Sequence, residues 1–169
     1  DLRNDYSSQS LLETDVAADP VEQFDKWWQQ ALQSKIIEPN AMTLATASVD
    51  GLPSARIVLL KGFNRDGFVF YTNYKSYKAM QLEENPKACL VFFWKELERQ
   101  VRITGLVQRT PGSESDAYFI TRPTASQIGA WASPQSQIIE NRDWHDARYL
   151  DLTEEYKNKK LQRPEHWGG

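Results

Sequence analysis

From Ala41 to Thr110 the chain is a succession of short strand-like runs, each cut by a turn signal, and this constrains the fold more than any other feature. "AMTLATASV" alternates apolar and polar residues, "DGLP" turns, "SARIVLLKGF" runs out, "NRDG" turns and "FVFYTN" returns. "KACLVFFW" and "RQVRITGLVQRT" form a further pair around "KELE". Five or more antiparallel strands with short turns predict a closed or nearly closed barrel, because closure removes exposed edges. The chain has 169 residues, 40% of them hydrophobic, which is enough for one domain with its own core.

Helices flank the strands. In "DPVEQFDKWWQQALQSK" Asp19 can cap, Pro20 suits the first helical position and Glu22 can supply a reciprocal carboxylate. Val21, Phe24, Trp27, Trp28, Ala31 and Leu32 form its apolar stripe. "SYKAMQLEENP" predicts a short helix capped by Ser76 and stopped before Pro86. "SESDAYFIT" and "TASQIGAWA" predict two more, separated at Pro123. "NRDWHDARYLDLTEEYKNKK" predicts a long charged helix packing through Trp144, Ala147, Leu150 and Tyr156. Residues 1–18 read as an N-terminal arm and 19–169 as the domain. Asp1, in place of Met, suggests that the native start lies upstream.

Several chemistries find no support. Two histidines and one cysteine give no metal-ligand cluster. There is no Walker loop, no dinucleotide glycine fingerprint and no nucleophile elbow. A net charge of −3 lacks the basic excess of a nucleic-acid binder, and no run approaches a membrane-spanning length. The single Cys89, in "ACLVFFW", reads as a small core residue and fits a reducing, cytoplasmic compartment. A bound organic cofactor remains open.

The stretch "RIVLLKGF" brackets four apolar residues with two cations, Arg56 and Lys61. Five residues of strand span about 16 Å, and alternation puts the two on opposite faces. Two anion sites are therefore easier to build than one, although strand-end cations reaching water are favoured on spacing alone. Lys78, in the first turn of the helix opened by Ser76, opposes the macrodipole, a cost that a bound phosphate would offset. A solvated lysine fits equally well. Tyr118 and Arg122 lie one helical turn apart, with Ser126 near the next helix start. Phenol, guanidinium and hydroxyl together make a phosphate cradle. Taken alone, a helix cap with a surface arginine is narrowly preferred. Gln100, and Gln135 with Ser136, could read a heterocycle edge, or be plain surface polar groups, the default for Gln135.

Together the strings "RIVLLKGF", "FYTN", "NP…LVFFW", "ERQVRITG", "YFITRP", "SQIGAW" and "SPQSQ" resemble the pyridoxamine 5′-phosphate oxidase family over nearly the whole chain, "RNDY" to "WGG". The resemblance implies an FMN-binding split β-barrel, mainly β with flanking helices, and a homodimer with FMN at the subunit interface. By matching positions it implies that Arg56, Ile57, Val58, Leu59, Leu60 and Lys61 contact FMN, as do Tyr71, Thr72, Lys78 and Gln100. Gln135 and Ser136 match residues reaching the cofactor from the neighbouring subunit. Lys61, Tyr118, Arg122 and Ser126 match positions holding the substrate phosphate, and Arg3 and Tyr6 an arm folding over bound substrate. The two bracketing cations would then serve two ligands, Arg56 the cofactor's phosphate and Lys61 the substrate.

The implied reaction oxidises pyridoxamine or pyridoxine 5′-phosphate to pyridoxal 5′-phosphate. A hydride leaves C4′ for flavin N5, and oxygen is reduced to hydrogen peroxide. No side chain need be a covalent nucleophile. Two departures stand out. Family members commonly carry "SRK" where this chain has Tyr77 in "SYK". The family also continues beyond "WGG" to an Arg-Leu-His motif, so truncation is expected here. The alternatives are a flavin-binding split-barrel protein without oxidase activity and a related flavin reductase.

Overall fold

A computed structural model describes residues 10–169. The expected positions Arg3 and Tyr6 lie outside the described residues. The architecture is mainly β with flanking helices, as the alternating runs predict.

Four antiparallel strands form the main sheet: β1 (Ala41–Ala47), β2 (Pro53–Leu59), β6 (Lys87–Trp94) and β7 (Arg99–Leu106), in the order β2-β1-β6-β7. Two ribbons complete the β structure. β3 (Gly62–Asn64) pairs with β4 (Gly67–Val69), and β5 (Thr72–Asn73) with β8 (Trp167–Gly168). The strand expected through "SARIVLLKGF" is therefore interrupted after Leu59, and "FVFYTN" is interrupted at Phe70 and Tyr71. A continuous closed ladder is not what forms among the described residues. Single bonds join the pieces instead: Lys61 N–H donates to Val69 O at 2.8 Å and Leu60 N–H to Asn40 O at 2.8 Å.

The inner sheet face packs Met42, Leu44, Val58, Leu90, Phe92 and Trp94. Helix α1 (Pro20–Gln33) closes this core with Phe24, which meets Phe63 and Phe68 edge-on at 4.8 and 4.9 Å. Asp19 caps α1 as expected, accepting from the N–H groups of Val21 and Glu22. Glu22, expected to reciprocate, pairs with Arg65 at 2.9 Å instead. Leu32, expected in the stripe, is exposed, and Gln23 is buried in its stead.

A second, smaller cluster lies under the helices. Phe119 of α3 (Gly112–Thr121), Ile128 of α4 (Thr124–Ala132), Leu161 and Trp167 form it. Helix α5 (Arg142–Glu155) packs against it through Tyr149 and Leu152, with Tyr156 just beyond its end. The expected Trp144, Ala147 and Leu150 face outward. Helix α2 (Tyr77–Glu84) follows Ser76 and packs Leu82 against the main core.

Candidate functional site

A cavity of about 620 Å³ opens between the end of β2, strand β5 and the helices α2, α3 and α4, a size typical of ligand pockets. Most expected site residues meet there. Ile57, Val58, Leu59 and Lys61 supply one wall, Tyr71, Thr72 and Lys78 a second, and Tyr118, Arg122 and Ser126 a third, with Gln135 at the loop after α4. No carboxylate is among the lining residues, so Lys61, Lys78 and Arg122 leave the wall positive.

The local sequence explains how each group arrives. Pro123 ends α3 and begins α4, which puts Arg122 at the corner between them and Ser126 in the first turn of α4. Ser76 does not cap α2 through its side chain. Its hydroxyl donates to Asn73 O at 2.6 Å. This ties the start of α2 to β5 and lets Lys78 Nζ donate to Gln135 Oε1 at 2.7 Å and Ser76 Oγ at 3.2 Å. Burial, reinforced by nearby Arg56, holds the Lys78 ammonium below its ordinary pKa.

Two polar atoms on the cavity wall are conspicuous. Arg122 Nη1 and Thr72 Oγ1 are buried and have no hydrogen-bond partner among the described residues. Buried donors are normally satisfied, and burial lowers the Arg122 pKa, which marks a desolvated cation. Both the orphan atoms and the carboxylate-free cationic lining fit a phosphorylated ligand. The start of α4 and the first turn of α2 add their positive dipole ends.

Four expected residues lie elsewhere. Leu60 is buried in the main core. Gln100 is exposed on β7, opposite Phe93. Ser136 is exposed beside Gln135, with φ at 64°. Arg56 turns to the inner side of the sheet. Its Nη1 donates to Thr46 Oγ1 at 2.6 Å and Leu44 O at 3.2 Å, and its Nη2 donates to Gln81 Oε1 at 3.3 Å. Gln81, only 2% exposed, also accepts from Thr46 and donates to Ser54. Arg56, half-buried, therefore ties α2 to the sheet through Gln81 and Thr46 and is not among the residues lining the cavity. Gln135, expected from a neighbouring subunit, reaches this cavity within the same chain.

Sequence reasoning missed Trp167, Asn73 and Ser133 in the lining. Trp167 could have been suspected from "WGG", a large ring beside glycines that permit close backbone approach. A Cβ on Gly168 would sit 2.1 Å from Tyr74 Oη.

Comparisons with known proteins bear on the family and the fold. A family model described as pyridoxamine 5′-phosphate oxidase matches residues 28–152. A pyridoxine/pyridoxamine 5′-phosphate oxidase of Acaryochloris marina is 57% identical over 169 residues, covering all of this chain and 77% of the relative. One from Burkholderia cenocepacia is 54% identical, covering all of this chain and 78% of the relative. Among solved structures, PhzG from Burkholderia lata 383, in complex with tetrahydrophenazine-1-carboxylic acid, aligns with a TM-score of 0.88 at 27% identity, over 94% of this chain and 79% of that one. A pyridoxamine 5′-phosphate oxidase-related, FMN binding protein from Nostoc punctiforme aligns at 0.62 and 19% identity, over 78% and 73%, a likeness of fold alone. The fold is thus of the split-barrel type that the resemblance implied, and the chain belongs to the pyridoxamine 5′-phosphate oxidase family.

Proposed function

We propose that this chain is an FMN-dependent oxidase converting pyridoxamine 5′-phosphate or pyridoxine 5′-phosphate to pyridoxal 5′-phosphate, with oxygen as acceptor and hydrogen peroxide as co-product. The observation that carries this reading is the convergence of Lys61, Tyr118, Arg122 and Ser126 on the cavity that Lys78 also lines. A protein that only bound flavin would not need a second cationic cradle.

FMN, when bound, would supply the two-electron chemistry that the side chains lack. Lys78 and the first turn of α2 would hold its phosphate, with Tyr71, Thr72, Ile57, Val58, Leu59 and Lys61 along its length. Arg56 acts from behind, through Thr46 and Gln81, by fixing α2. Arg122, Lys61, Ser126 and Tyr118 bind and orient the substrate phosphate, so that its ring is presented at a fixed distance. The apolar Ile57, Val58 and Leu59 limit water at the reacting face.

A homodimer completes the proposal. The outer face of the main sheet carries Ile57, Val91 and Phe93, with Ile57 64% and Phe93 61% exposed. A second copy covering this face would bring Gln100 and Ser136, which do not line their own chain's cavity, within reach of a partner's.

PhzG, the similar structure, is described with a phenazine precursor, so substrates must be compared directly. The FMN-loaded chain is assayed under air with pyridoxamine 5′-phosphate, pyridoxine 5′-phosphate and tetrahydrophenazine-1-carboxylic acid. Aldehyde and peroxide in equal amounts from the B6 phosphates support the proposal. Oxidation of the phenazine alone, or flavin binding without turnover, contradicts it.

A further inference from the structure

Trp167 has no role in the reading above, yet it lines the same cavity. Its indole is 6% exposed, and the Arg122 guanidinium carbon sits 4.5 Å over its ring centroid. Tyr71 stacks on the indole at 5.2 Å and 10°, and on Tyr118 at 4.0 Å and 15°. The guanidinium therefore lies on the nearly parallel stack of the indole and the two phenol rings. It has no carboxylate partner among the described ion pairs, and its Nη1 is buried without a partner among the described residues.

The platform itself is anchored. Arg163 Nη1 donates to Trp167 O at 2.6 Å, and Arg163 Nε pairs with Asp116 at 2.6 Å. Trp167 N–H donates to Pro164 O at 3.0 Å. Gly168 lets the strand press against Tyr74, where any Cβ would collide.

A ring face orients a guanidinium without occupying its N–H edges, whereas a carboxylate would compete for them. We infer that Trp167 is a positioning residue: its indole face holds the Arg122 guanidinium flat, with Nη1 left free for a phosphate oxygen of the substrate. This rests on the phosphate assignment made under Proposed function, and it deepens that assignment. Phosphate selectivity is then set by a residue that need form no hydrogen bond to the ligand.

The test is a double-mutant cycle on the FMN-loaded chain, read by calorimetric titration with pyridoxamine 5′-phosphate and, separately, with inorganic phosphate. Trp167→Leu should weaken both by about tenfold, and Trp167→Phe, which keeps a ring, by about two- to threefold. In an Arg122→Ala background the same Trp167 changes should cost nothing more. Flavin affinity should stay at the wild-type value throughout. Unchanged binding in Trp167→Leu, or losses that simply add to that of Arg122→Ala, would overturn the inference. If Trp167→Leu does not fold, Trp167→Phe in the two backgrounds decides, with equal losses in both overturning it. Wild-type affinity in Arg122→Ala alone would overturn the phosphate assignment itself, and this inference with it.

Discussion

Arg56 and Lys61 bracket one apolar run but diverge. Arg56, within β2, turns inward, whereas Lys61 lies two residues past the end of β2 and lines the cavity. The favoured expectation of strand-end cations reaching water is met only in part at Arg56, which is half-buried because Thr46 and Gln81, remote in sequence, hold its guanidinium. No local pattern could have announced those partners. At Arg122 the consequences are direct. Replacement by alanine removes charge-assisted bonds of about 1.5–3 kcal/mol, so KM for the phosphorylated substrate should rise about 10- to 100-fold with flavin still bound. Steady-state kinetics with a flavin absorbance check measure both, and concurrent loss of flavin would refute the division of roles. Lys78 gives a pH prediction. Its protonated form binds anions, and its pKa is held below the ordinary 10.5 by burial. Flavin affinity should therefore be full below that lowered pKa and fall as pH rises through it, earlier than an ordinary lysine would allow. Lys78→Arg should remove the alkaline loss, because guanidinium stays charged. A titration series across alkaline pH reads this, and a flat wild-type profile would count against it.

At the scale of elements, periodicity located the strands and helices well, and turn chemistry located their ends. It failed where one run serves two partners: "SARIVLLKGF" reads as one strand but divides between the main sheet and the β3–β4 ribbon. Helix α5 failed differently. It is nearly all polar, so which side packs was decided by α4 and not by its own weak stripe. The short β8 was invisible for a third reason, since a two-residue pairing leaves no pattern. Yet it positions Trp167, and Gly168 permits it. Gly168→Ala would place a methyl 2.1 Å from Tyr74 Oη and 3.0 Å from Ser115 Oγ. Such crowding costs about 1–3 kcal/mol, to be read as a lower urea midpoint with weaker phosphate binding. An unchanged midpoint would show that β5 and β8 yield more easily than their packing implies. Asp19→Ala removes a helix cap that accepts two N–H groups and should cost about 1 kcal/mol by the same measurement. The Arg65 pairs, on a side chain 73% exposed, add little.

For the whole molecule, the sequence held most of the site because its chemistry sits in short strings: "RIVLLK" supplies one wall, "YTNYKSYK" a second, and "YFITRP" with "SQIGAW" the third. What it could not hold was which of these strings share the chain's own cavity. Gln135 falls inside, whereas Gln100 falls outside. The proposed dimer should sediment at twice the chain mass, and Phe93→Asp, placing a charge on the exposed sheet face, should shift it towards monomer. A wild-type monomer would remove the partner's contribution. The central claim is that one cavity takes two phosphate esters together. It is tested most directly by titrating pyridoxamine 5′-phosphate into the FMN-loaded chain under anaerobic conditions and counting both ligands. One of each per chain, with no flavin released, is the expected result; stoichiometric displacement of flavin by the substrate would contradict it.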